Sequence, residues 1–172
     1  MCPGEAVKVD DSLRGKGRRP DLPRERGVYV VVFQLNGEVV VRGRGGRLVG
    51  RVGPGHVAYV GSAGGPGGLR SRLGRHLTRP RGVWWHVDSI SSSPLSKPVL
   101  AYYEAGAWGK EAEDRLAGRL LSLGLRPVGM VGATDSRSPH TFIVDDLNGL
   151  VYALRSMGGA MVIINENQGS GL

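Results

Sequence analysis

The sequence has a single cysteine, Cys2, among 172 residues. A lone thiol excludes an internal disulfide framework and any zinc site built from paired thiolates, and it fits a reducing compartment. No run approaches the ~18 unbroken apolar residues of a membrane helix, and Met1–Arg26 lacks the apolar core of a signal peptide. A soluble, cytoplasmic protein without membrane attachment is expected. Aromatic residues are few, 6% of the chain, so stacking of bases along a single strand is not the expected mode of nucleic-acid contact. The P-loop pattern G-x-x-x-x-G-K-[ST] is absent, the glycines after Tyr59 do not spell G-x-G-x-x-G, and no serine sits in a G-x-S-x-G elbow. Nucleotide-cofactor and serine-hydrolase chemistry therefore have no support.

One further absence is local. Between Val39 and Val87 there is no Asp or Glu, yet Arg42, Arg44, Arg47, Arg51, Arg70, Arg72, Arg75, Arg79 and Arg81 all fall there. The whole chain carries Lys+Arg 23 against Asp+Glu 15, a formal +8 with a pI near 10.2. A basic face without acids to neutralise it is a footprint for phosphates, giving affinity more than sequence choice. Arg70, Arg75, Arg79 and Arg81 are candidates for backbone contact, or are simply solvated. DNA is the expected partner ahead of RNA, in duplex or branched form.

The length and the 40% hydrophobic content suit one domain with one ordinary core. Residues 1–26, with mixed charge and three prolines, are expected to be a mobile tail, 27–157 the folded domain and 158–172 a second tail. Val28–Leu35 reads as a strand that turns at Asn36-Gly37 into a second strand at Val39–Val41, the pattern of a two-residue hairpin. A short strand is expected around Leu48 and Val49, and another over Val57–Gly61. After the glycine-rich turn, Leu69, Leu73 and Leu77 recur every four residues and mark a helix, with Arg72 and His76 beside that stripe. Strands are expected at Val83–Ile90, Pro98–Tyr103 and Thr141–Val144. Helices are expected over Ala107–Leu123, stopped by Gly124, and after a cap at Asp145 or Asp146. The fold class is α+β, a small mainly antiparallel sheet of about three central strands flanked by helices.

Chemistry can be sought in what is left. His86-x-Asp88 would put two ligands on one strand face, although a structural pairing is the plainer reading. Glu113 shares a helix face with Leu116, Ala117 and Leu120, which turns it inward. A buried carboxylate needs a partner, either an arginine such as Arg72 or a metal ion.

Gly27-Val28-Tyr29, then Tyr59-Val60-Gly61, then Arg72 and His76 four apart, then Glu113, is a series that resembles the GIY-YIG nuclease superfamily. The stretch His56–Asp88, with Tyr59–Ala63, Arg75–Leu77 and Trp85–Asp88, is similar to an uncharacterised and largely archaeal branch whose members can be fused to endonuclease III. Glu113-x-x-Leu116-Ala117 and Pro139-His140-x-Phe142 extend the likeness, which covers roughly Gly27–Leu154. The resemblance implies a metal-dependent phosphodiesterase acting on DNA in repair or recombination. In that scheme Tyr59 is the general base on water with Tyr29 beside it, Arg72 holds the scissile phosphate, and His76 assists by hydrogen bonding or proton transfer. Glu113 would bind one Mg²⁺ or Mn²⁺, a cation that keeps most of its water and needs few protein ligands. A free phenol titrates near pH ~10, so the base needs cationic surroundings.

The sequence departs from the superfamily at Ser62, where many members carry lysine, in having no cysteines between Gly132 and Ser138, and in offering no counterpart to a downstream asparagine. Ser62 and the missing asparagine favour a rival, a non-catalytic module that binds DNA or RNA through the same basic face. A third reading is docking on an acidic protein. Ser62, His86, Asp88 and His140 are candidates for branch-specific roles, whereas Trp84 and Trp85 read more plainly as packing residues. Oligomeric state is not legible.

Overall fold

The computed structural model describes residues 20–80, 82–128 and 139–164. Its centre is β1 (Gly27–Leu35), and every one of its residues except Gln34 is buried. A strand that is apolar on both faces needs a neighbour on each edge and a layer on each side. β1 obtains them from β4 (Gly55–Ala63) on one edge and β5 (Ser96–Ala105) on the other, both antiparallel. Outside these lie β7 (Thr141–Val144) and the two-residue β6 (Arg126–Pro127) on one flank and β8 (Ala160–Ile163) on the other. The result is a six-stranded sheet ordered β6-β7-β4-β1-β5-β8, with β2 (Val39–Arg42) and β3 (Leu48–Val52) forming a separate two-stranded sheet.

This corrects the expected sheet of about three central strands. The additional strands are short edge segments, and a two-residue strand such as β6 has no periodicity to read. It also corrects the hairpin. β1 does not fold back on β2; the chain leaves the main sheet at Asn36, whose amide donates to Leu95 O at 2.8 Å. The turn dipeptide was legible, but the partner strands of β1 are the ones that cover its apolar edges.

Alternation along β1 separates two cores. Val28, Val30 and Val32 face α3 (Lys110–Ser122) and α4 (Leu147–Arg155), against Leu116, Ala117, Leu120, Leu150 and Leu154. Tyr29, Val31, Phe33 and Leu35 face α1 (Gly68–Leu77), α2 (His86–Ser91) and the small sheet, against Leu69, Leu73, Val87 and Ile90. The expected stripe of leucines does anchor α1: Leu69 and Leu73 are fully buried, each worth about 1.5–3 kcal/mol of apolar transfer. Gly124 stops α3 with φ +84, a left-handed conformation that glycine adopts without penalty. Asp146 caps α4, its carboxylate accepting from Gly149 N at 2.9 Å.

Both expected tail boundaries move outward. Leu22 is 1% exposed; Pro23 O and Glu25 O accept from the amides of Arg70 and Leu69 at 2.9 Å. Residues 20–26 are therefore strapped across the start of α1. At the other end β8 lies inside the stretch expected to be a tail. No helix among the described residues is long and apolar enough to cross a membrane.

Candidate active site

Two sequence periods meet at one end of the sheet. The period of two puts Tyr29 and Tyr59 on the same face, and the register pairs Tyr29 with Gly61 and Val31 with Tyr59, so the tyrosines are diagonal neighbours. Their ring centroids are 6.3 Å apart. Gly61 has no room for a side chain, because a Cβ there would lie 2.5 Å from Tyr29 Cζ and Oη. Gly27 likewise abuts Glu104 O and Leu69. The glycines of both short motifs are thus fixed by the approach of a ring and of a helix to the strand backbone.

The period of four on α1 delivers His76 and Arg72 to the same place. His76, 2% exposed, places Nε2 3.1 Å from Tyr29 Oη and Nδ1 3.3 Å from Ser91 Oγ. The charge of Arg72 acts on Tyr29 and favours its ionised form, and its guanidinium lies 4.8 Å over the Trp85 ring. One polarity fits these contacts: the Tyr29 hydroxyl donates to His76 Nε2, and Nδ1–H donates to Ser91 Oγ. The carboxylate of Asp88, with Oδ1 3.9 Å from Nδ1, favours that tautomer. Burial, then the charges of Arg72 and Arg75, hold the His76 pKa down to about 3. The imidazole is therefore neutral near pH 7.

Burial dominates the phenols as well. It pushes Tyr29 up to about 12 against the pull of Arg72. Tyr59 is raised well above its ordinary value by burial, then by Tyr29 and Glu113, with Arg72 again opposing. Arg72 favours the ionised form of both phenols, but burial outweighs it.

Asp88 is the foundation of this side of the site. It is fully buried, and its Oδ2 accepts from Arg75 at 2.9 Å, Trp84 N at 2.7 Å and Trp85 N at 2.9 Å. The expected strand over Val83–Ile90 is instead a loop leading into α2, because this carboxylate gathers the amides that start the helix. The change removes the shared strand face of His86 and Asp88. On a helix two residues apart they diverge, and the His86 ring packs beside Gly43, where a Cβ would sit 2.9 Å from Nε2. Ser91, the partner of His76 Nδ1, was missed; the only signal was its i+3 spacing from Asp88 on a helix mistaken for a strand.

The other arginines divide. Arg70 is held by Leu22 O at 2.7 Å and Asp21 at 2.8 Å, so it binds the N-terminal strap. Arg75 donates to Gly82 O and Asp88, both at 2.9 Å. Both candidates for backbone contact are thus held by neighbours within the fold. Arg79 is exposed, with φ +50. Arg81 lies outside the described residues.

Glu113 approaches from the far side. It starts α3, which packs on the opposite sheet face, yet its charge acts on Tyr29, Tyr59 and Arg72. Its direct partner is not Arg72 but His140, whose Nδ1 lies 2.8 Å from Glu113 Oε1 while Nε2 lies 3.1 Å from Asp114 Oδ1. Burial lowers the His140 pKa, but the two carboxylates outweigh it and the net shift is upward. His140, a candidate for a branch-specific role, thus bridges the acids at the head of α3. Ser62 accepts from Gly109 N at 2.7 Å, tying the end of β4 to the turn before α3. Trp84 and Trp85 are 73% and 49% exposed, which overturns their reading as packing residues.

The donor set bears on a cation. Among the described residues no three His, Cys, Asp or Glu side chains converge as a metal cage. A single carboxylate, 19% exposed at the edge of the site, suits a hard cation that keeps most of its water and not a closed protein cage.

The family described as domain of unknown function DUF123 matches residues 28–161. No curated protein and no solved structure matches the chain.

Proposed function

The chain belongs to the DUF123 family of unknown function, and we propose that it is a metal-dependent endonuclease hydrolysing DNA phosphodiester bonds, of the GIY-YIG type in its largely archaeal branch. The observation that supports this best is the clustering of Tyr29, Tyr59, Arg72 and His76 from two strands and one helix, with Arg72 and His76 lining a cleft of about 190 Å³. Each residue alone has a plain structural reading; a cation, two buried phenols and a neutral imidazole grouped behind an open cleft do not serve packing alone. The setting we infer is repair or recombination.

Arg72 would grip the scissile phosphate. Its plane is already set by Trp85, and a planar fork on two phosphoryl oxygens gives both charge and direction. Neutral His76 holds the Tyr29 hydroxyl in one orientation, which keeps that oxygen turned toward Arg72. Tyr59 Oη would take the proton of the attacking water, and it rests as a phenol until further positive charge comes near. A Mg²⁺ or Mn²⁺ on Glu113 would supply charge stabilisation to the phosphoryl group and lower the Tyr59 pKa. His140 and Asp114 position that carboxylate.

One observation favours the rival of a non-catalytic DNA- or RNA-binding module: Tyr59 is held firmly protonated. Incubating the protein and Glu113→Gln with supercoiled plasmid, flap, Holliday-junction and RNA substrates, in EDTA, Mg²⁺ or Mn²⁺, separates the two. Metal-dependent cleavage by the native protein, lost in the variant, is the expected result. Binding without cleavage on every substrate overturns the nuclease reading.

A further inference from the structure

Exposed tryptophans are uncommon, and here two are adjacent and held on a rigid support. The amides of Trp84 and Trp85 both donate to the fully buried Asp88 Oδ2, and Arg75 clamps Gly82 O at 2.9 Å on the same loop. The Trp84 indole lies across Gly82, where a Cβ would be 3.3 Å from Nε1. Trp85 spends one face on the Arg72 guanidinium. Trp84, 73% exposed, remains open to solvent.

An exposed aromatic surface next in sequence to the tryptophan that stacks on Arg72 has a specific chemical complement. The surroundings are basic: Arg72 lines the cleft that Trp85 borders, Arg79 is exposed at the end of the same helix, and the nearest acid in sequence, Asp88, is fully buried against Arg75. A partner that is anionic and flat-faced fits; an apolar protein surface would leave these cations without counter-charge. We propose that Trp84 is a stacking platform for one unpaired base of a DNA strand whose adjoining phosphate is held by Arg72, so that the preferred ligand is single-stranded or locally opened DNA and not intact duplex. The placing of the phosphate rests on the nuclease reading, whereas the stacking does not. It reverses the expectation, drawn from the scarcity of aromatics, that stacking would play no part: one well-placed indole suffices for one base, and stacking on an aromatic is sequence-tolerant.

The test is a binding measurement in EDTA. Trp108→Phe serves as the parent, so that emission comes from Trp84 and Trp85 alone; fluorescence quenching and anisotropy are followed with a single-stranded DNA 12-mer and with its blunt duplex. The single strand is expected to quench emission and to bind at least tenfold more tightly than the duplex. Trp84→Ala should weaken single-strand binding about 5- to 150-fold, the fold-change of one lost base stack, and leave duplex binding unchanged; Trp84→Phe should restore most of the loss. Unaltered single-strand affinity in Trp84→Ala, equal quenching and affinity with duplex, or no binding at all overturns the proposal. Native cleavage alongside unaltered Trp84→Ala binding defeats this inference and leaves the nuclease reading intact. Trp84-dependent binding by a protein that cleaves nothing does the reverse.

Discussion

The two faces of the central sheet are built from alternate residues of the same strands and have opposite characters. On the α3 and α4 side β1 contributes Val28, Val30 and Val32, and the helices answer with Leu116, Leu120, Leu150 and Leu154. On the α1 and α2 side the same strand contributes Tyr29, and the helices answer with His76, Arg72, Ser91 and Asp88. The first face is mostly apolar contact, with the Tyr102 hydroxyl, bonded to Glu104 and Gly159 N, as a polar exception. The second buries hydroxyls, an imidazole and a carboxylate, each of which is costly unless partnered; His76 links Tyr29 to Ser91, and Asp88 accepts from Arg75 and two backbone amides. A molecule that needed only stability would have made both faces alike. The polar face is where function is to be sought, and the apolar face is the support that holds it still.

The sharpest way to break the comparison is Tyr59→Phe. It removes one hydroxyl from the polar face and keeps the ring; cleavage should fall about 10²- to 10⁴-fold, the range for loss of a general base, with the melting temperature nearly unchanged. Native rates in this variant would remove Tyr59 from the mechanism. Leu116→Ala should act in the opposite sense. It opens a cavity in the apolar face, expected to lower unfolding free energy by about 2–5 kcal/mol while cleavage per folded molecule stays the same; denaturant unfolding and active-site-normalised rates check both halves.

The smallest effect is a pH dependence confined to the polar face. His76 titrates near 6.5 when unfolded and is pushed down to about 3 when folded. The unfolded chain therefore binds more protons between those values, and stability that is fully present above pH 6.5 is lost as pH falls toward 3. The His76 contribution to the slope should approach ~1.4 kcal/mol per pH unit in the middle of that window. His76→Gln should show a shallower slope there, read from urea unfolding at pH 4, 5 and 6; an unchanged slope would place the imidazole in water.

Much of the site was legible because it depends on short periods. Alternation set Tyr29 and Tyr59 on one face, the spacing of four joined Arg72 to His76 beside Leu69 and Leu73, and Glu113 was singled out as an acid among Leu116, Ala117 and Leu120. The errors share one cause, which is that contacts far apart in sequence override local signals. Asn36-Gly37 is a hairpin turn by composition, yet β1 pairs with β4 and β5 because only they bury its edges. Val83–Ile90 is strand-like by composition, yet Asp88 draws in the amides of Trp84 and Trp85 and a helix begins.

The arginines mark the division most clearly. The sequence by itself determined that a block of positive charge without acids exists, and that Arg72 and His76 share a helical turn, since both follow from composition and from 3.6 residues per turn. Only the tertiary structure decided which cations are available. Arg70 is taken by Asp21 and Leu22 O and Arg75 by Asp88 and Gly82 O, while Arg72 is left stacked on Trp85 at the mouth of the cleft. A charge finds its partner through space, and for Arg70 that partner is 49 residues away. Such pairings carry no spacing rule, so it is the fold that separates a phosphate ligand from a structural tie.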